Sequence, residues 1–146
     1  MTITMTDSSS RALVVDDEAL VRKLTIRALS REGFSCDAAA DGVEAKRMLN
    51  SNQYDVVVTD LRMPNHHGYA LAMDLLALEN RPVLVVLTGI CDARLVQELI
   101  GWGVDYFEIK PVRYEFFATK VRAIVDRRSG VRPKYVAELI SWRMEC

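Results

Sequence analysis

The chain has 146 residues, half of them hydrophobic and 27% charged, with a formal net charge of −1. That length suits a single domain with a real core, and that composition excludes a disordered chain. No apolar run approaches the ~20 residues that span a bilayer, residues 1–10 lack the basic-then-apolar order of a secretory signal, and a near-neutral total disfavours direct nucleic-acid binding.

Residues 1–10 are polar and are expected to form a flexible N-terminus. Arg11 to Val15 is a short β-branched run that ends in Asp16 and Asp17. Glu18 to Arg31 places Leu20, Val21, Leu24, Ala28 and Leu29 near helical spacing, and Gly33 closes it. Phe34 to Ala39 is predicted as a second strand, closed by an Asp41-Gly42 turn, and Gly42 to Asn50 as a helix. Tyr54 to Thr59 is nearly all apolar, as expected of a strand covered on both faces, and Asp60 follows it. Gly68 to Glu79 reads as helical. Val83 to Leu87 is a strand ending in Thr88. Asp92 to Ile100 is predicted as a helix capped by Asp92, Tyr106 to Ile109 as a strand ending in Lys110 and Pro111, and Glu115 to Arg128 as the last long helix.

Strands alternating with helices imply an α/β fold with a doubly wound parallel sheet over residues 11–129. Ser129-Gly130 marks a boundary. Beyond it Tyr135, Leu139 and Trp142 recur at i, i+4, i+7 with Val136 and Ile140 beside them, so residues 130–146 are expected to be an amphipathic extension or a truncated linker. That piece is far below the ~40 residues that fold alone. From Lys110 onward nine Lys/Arg face four Asp/Glu, whereas residues 1–109 carry ten against sixteen. The acidic part therefore suits a cation, and the basic part reads as a solvated helix face. Cys36, Cys91 and Cys146 are odd in number and follow no metal-ligand spacing, which points to reduced thiols and a cytoplasmic setting.

In an open parallel sheet, ligands bind at the carboxyl ends of the strands. Asp16, Asp17 and Asp60, the Thr88 hydroxyl and the Lys110 amine should converge there. Clustered carboxylates resist ionising together, and a hard divalent cation resolves that conflict. Magnesium takes oxygen ligands and keeps several waters. Asp17 and Asp60 are expected as direct ligands and Asp16 through water. One carboxylate then serves as a nucleophile toward phosphorus, with Lys110 and Thr88 around the equatorial oxygens.

Asp16-Asp17, Asp60, Met63-Pro64, Thr88-Gly89 and Lys110-Pro111, in this order and each at or just past a predicted strand end, make residues 11–128 resemble the response-regulator receiver domain. The resemblance implies a flavodoxin-like five-stranded sheet of order 2-1-3-4-5. It implies that Asp60 accepts phosphate from a sensor histidine kinase or phosphotransfer protein, that Asp16 and Asp17 hold Mg2+ with the backbone carbonyl of Arg62, that Thr88 moves toward the phosphoryl group, and that Lys110 pairs with it. The peptide bond before Pro111 is implied to be cis. Phe107, three residues before Lys110, matches an aromatic that reports phosphorylation by rotating. The expected product is a signalling switch in a two-component phosphorelay, not an enzyme acting on outside substrates.

The resemblance leaves open a homodimer through the face of the fourth helix, fifth strand and fifth helix, or through the extension. It also leaves a second reading, a receiver-fold interaction module that phosphorylation does not control. A haloacid-dehalogenase-like phosphatase fails on one residue, because its second Asp would stand where Arg62 is. Arg62 and Ile90, two residues past Asp60 and Thr88, occupy positions that modulate acyl-phosphate lifetime in the family, and an Arg with an Ile there points to slow phosphate loss. The adjacent His66 and His67 read as solvated loop residues.

Overall fold

A computed structural model describes residues 9–61, 68–89 and 93–129. The elements alternate without exception: β1 (Arg11–Val15), α1 (Ala19–Arg31), β2 (Ser35–Ala39), α2 (Gly42–Ser51), β3 (Val56–Thr59), α3 (Gly68–Leu76), β4 (Val83–Thr88), α4 (Ala93–Trp102), β5 (Tyr106–Ile109) and α5 (Tyr114–Arg128). All four strand pairings are parallel, and the sheet order is β2-β1-β3-β4-β5, as the resemblance implied. The order reverses at β1, so the crevice beside β1 and β3 is where an open sheet of this kind binds ligands.

Successive residues of a strand point to opposite faces, and here they feed two cores. Leu13, Val15, Val57, Leu84, Val86 and Phe107 pack toward α2, α3 and α4. Ala12, Val14, Val58, Val85, Leu87 and Tyr106 pack on the other side, where α1 and α5 contribute Leu29, Phe117 and Val121. Every residue of β3 and β4 is buried, which accounts for their apolar sequence up to the closing Thr59 and Thr88. Among the described residues, no helix is long and apolar enough to cross a membrane.

The element ends depart from the sequence reading in ways that local chemistry explains. Asp41-Gly42 is not a free turn but the start of α2. The Asp41 side chain accepts from the Glu44 backbone N–H (2.9 Å), and the Glu44 carboxylate accepts from the Ala40 N–H (2.7 Å). This reciprocal pair satisfies two otherwise orphaned amides. Helix α3 stops at Leu76 rather than Glu79, and α4 continues past Ile100 to Trp102. Gly101 is tolerated inside α4. Gly103, at φ +92°, ends it, with Val104 N–H donating to the Leu99 carbonyl (3.2 Å). The same device ends α1 at Gly33, φ +89°, with Phe34 N–H on the Leu29 carbonyl (3.2 Å). The proposed Asp92 cap, the N-terminal eight residues and the extension 130–146 lie outside the described residues.

Candidate functional site

The sheet ladder itself places the polar residues. One residue beyond β1, Asp16 N–H donates to the Ala39 carbonyl (3.1 Å); one residue beyond β3, Asp60 N–H donates to the Val15 carbonyl (3.1 Å). Across the other half of the sheet, Lys110 N–H donates to the Thr88 carbonyl (2.7 Å). These bonds hold Asp16, Asp60, Thr88 and Lys110 at one edge, the carboxyl edge. Asp16, Asp60 and Thr88 are buried, at 2%, 7% and 1% exposure, although polar residues of these types are seldom buried without a specific partner.

The partner of the two carboxylates is Lys110. Its ammonium donates to Asp16 Oδ2 (2.9 Å), to Asp60 Oδ2 (3.0 Å) and to Glu18 Oε1 (3.2 Å). Asp16 is further held by the Glu18 backbone N–H on Oδ1 (2.9 Å), and Arg22 donates to its carbonyl (2.7 Å). The remaining Asp60 oxygen, Oδ1, accepts from the Leu61 N–H (2.7 Å). Burial pushes the Asp16 carboxyl above the usual carboxylate range, and its bonds to Lys110 and to the Glu18 amide offset part of that rise. Burial pulls the Lys110 ammonium down, but the bonds and charges of Asp16 and Asp60 outweigh it and raise its pKa overall. The Lys110 shift favours a protonated lysine between the carboxylates, whereas burial of Asp16 works against its ionised form.

Asp17 and Glu18 stand at the exposed mouth. One ligand oxygen from each of Asp16, Asp17, Glu18 and Asp60 lies within 4.8 Å of the others. One ammonium does not balance four carboxylates, so the crevice keeps a net negative charge and an all-oxygen donor set. That combination suits a hard cation.

The structure thus brings together Asp16, Asp17, Asp60, Thr88 and Lys110 at one sheet edge. Phe107 is buried at 3% exposure in the core on the α2, α3 and α4 side. Tyr106 faces the opposite core, stacked at 6.0 Å on Phe117. The Lys110–Pro111 peptide bond is cis. Arg62, Ile90 and the histidine pair fall outside the described residues.

Two residues of the site are not evident from the sequence. Glu18 reads there only as the first residue of a helix, yet it bonds Lys110 and adds a fourth carboxylate; the run Asp16-Asp17-Glu18 is the available signal. Gly68 opens α3 directly against the acceptor strand. A Cβ there would overlap the Asp60 carbonyl oxygen and crowd Leu61 Cα, so only glycine fits.

Comparison with known proteins agrees with this geometry. A family model described as the response regulator receiver domain matches residues 12–122. Response regulator MprA of Mycobacterium tuberculosis H37Rv is 34% identical over 136 residues, covering 92% of this chain and 57% of its own. A probable transcriptional regulator, ycf27 of Guillardia theta, is 29% identical over 121 residues, covering 83% and 47%. The chain therefore spans about half the length of the curated relatives it matches. Among solved structures, response regulator TrrA of Thermotoga maritima, determined in complex with Mg2+-BeF, is 30% identical with a TM-score of 0.69, covering 79% of this chain and 98% of that one. A CheY-like receiver domain from Methanospirillum hungatei superposes with a TM-score of 0.78 over 84% of this chain and 98% of its own, at 22% identity, a likeness of fold alone.

Proposed function

Since this chain belongs to the response-regulator receiver family of two-component systems, we propose that it is a phosphorylation-controlled switch whose phospho-acceptor is Asp60. The observation that carries this reading is the convergence of Asp16, Asp60 and Lys110 within hydrogen-bond distance, beside the buried Thr88, at the carboxyl edge of the sheet.

The donor set fits Mg2+. Asp17 and Asp60 are the proposed direct ligands, with Asp16 acting through water and the Arg62 carbonyl completing the protein's share; Glu18 adds charge at the rim. Bound there, Mg2+ supplies charge neutralisation at the phosphoryl oxygens. The acceptor Asp60 oxygen is expected to form a bond to the phosphorus of a phosphohistidine on a sensor kinase or phosphotransfer protein. The phosphorus–nitrogen bond breaks, and the imidazole leaves with that electron pair and takes up a proton. The product is an acyl phosphate on Asp60. Lys110, already bonded to Asp60, is placed to follow the new negative charge, and Thr88 is placed one strand away to donate its hydroxyl to it.

Loss of phosphate to water reverses the state, so the protein would catalyse its own phosphorylation and dephosphorylation and nothing else. Phe107, on the strand that leads into Lys110, is the proposed packing reporter of the change. Arg62 and Ile90 are the proposed determinants of a slow loss. Output and cognate kinase belong to whatever this cytoplasmic switch contacts. Acetyl phosphate and Mg2+ should load one phosphoryl group onto the wild-type chain, and neither removal of Mg2+ by a chelator nor Asp60→Asn should leave any incorporation. Failure of the wild type to accept phosphate from a competent donor overturns the reading.

A further inference from the structure

The opposite edge of the sheet carries a feature that phosphoryl chemistry does not use. A groove of about 600 Å3 opens between α2 and α3 at the amino ends of the strands. Its wall is apolar where Leu71 and Leu75, both buried, meet Leu49 and Leu78. Leu78 is 55% exposed, a large apolar side chain left facing solvent. The lip is made of neutral amides, Asn50, Asn52, Gln53 and Asn80, together with Lys46 and Asp74, which neutralise each other at 2.6 Å. Such a groove accepts an apolar helix face without stranding a charge.

A second, smaller cleft of about 210 Å3 shares Tyr54, Asn80 and Pro82 with this groove. Its far side is formed by Arg128 and Ser129, the end of α5. The two clefts thus lie side by side along the amino edge, and the trough they outline runs from Arg128 and Ser129 at the end of α5 to the leucines of α2 and α3. The residues that follow carry Tyr135, Leu139 and Trp142 at helical spacing. As a helix they would reach about 25 Å at 1.5 Å per residue.

We propose that residues 131–146 fold back along this trough and seat the Tyr135, Leu139 and Trp142 face in the α2–α3 groove of the same chain. A short tether sets an effective concentration on the order of millimolar, which favours the chain's own segment over that of a second copy. The inference is independent of phosphorylation, because the trough lies at the edge of the sheet remote from Asp60.

The chain has two tryptophans, Trp102 and Trp142. In full-length Trp102→Phe, the emission then reports Trp142 alone. The proposal expects a blue-shifted maximum and acrylamide quenching severalfold weaker than that of N-acetyltryptophanamide, both unchanged on dilution. Adding Leu78→Lys, at an exposed position where the fold is retained by circular dichroism, should shift the emission to the red and restore quenching. Emission typical of a solvated indole in the parent overturns the proposal. So does protection that survives Leu78→Lys, which places the segment elsewhere, or protection that is lost on dilution, which assigns the groove to a second copy.

Discussion

At Gly68 the backbone of α3 runs so close to the acceptor strand that a methyl group has nowhere to go. Substitution to Ala pushes Cβ into the Asp60 carbonyl, and since backbone cannot swing aside like a flexible side chain, Asp60 itself must shift. A displacement of about 1 Å at a reacting group costs on the order of a hundredfold in rate. Gly68→Ala is therefore expected to slow phosphorylation by acetyl phosphate by about that factor, measured as the initial rate of incorporation, while Gly89→Ala, where a Cβ meets nothing within 4 Å, should leave the rate near wild type. Away from the site, Tyr54 is buried and donates its hydroxyl to Asp37 Oδ2 (2.7 Å); burial first, and then that bond to the carboxylate, push its pKa up to about 12. The unfolded phenol ionises near pH 10. Between those values the unfolded state releases a proton that the folded state keeps, so stability falls as pH rises from about 10 to about 12. Tyr54→Phe removes the hydrogen bond and with it about 1 kcal/mol at pH 7. The gap between variant and wild type should narrow above pH 10 in urea melts followed across that range; a gap that stays constant contradicts the assignment.

Among the elements, α2 shows most clearly how local chemistry sets a boundary. Asp41 caps it and Glu44 returns the bond to Ala40. Asp41→Ala should cost about 1 kcal/mol by denaturant titration with an unchanged slope. The strands were legible because burial on two faces leaves little but Val and Leu in β3 and β4, and because each run breaks at a polar residue. That break is also why Asp16, Asp17, Asp60, Thr88 and Lys110 could be assembled without coordinates: in a parallel sheet, every strand end lies on the same edge. Helix ends were less legible. Gly101 and Gly103 look alike as letters, and only backbone conformation distinguishes an interior glycine from one at positive φ. Asp41-Gly42 carries the composition of a turn and of a cap alike, and the deciding contact is a reciprocal bond three residues on. Glu18 and Gly68 were hidden for another reason. Their roles are relations across space, to Lys110 and to the Asp60 carbonyl, that no spacing along the chain encodes.

For the whole molecule, the parallel sheet separates two surfaces. The carboxyl edge gathers charge: four carboxylates and one lysine in a crevice at the point where strand order reverses. The amino edge gathers apolar surface and amides, in a trough that starts at the end of α5. The membership in the receiver family, with the chain spanning about half the length of its curated relatives, makes the first edge the one on which function turns. The chemistry of that edge turns on which carboxylate becomes the acyl phosphate. Borohydride reduces an aspartyl phosphate to homoserine, so the wild-type chain, loaded with acetyl phosphate and Mg2+, reduced and digested, can be sequenced by mass spectrometry. Homoserine at position 60 alone is the predicted result; homoserine at position 16 or 17, or at no position after confirmed exposure to a competent donor, would contradict it.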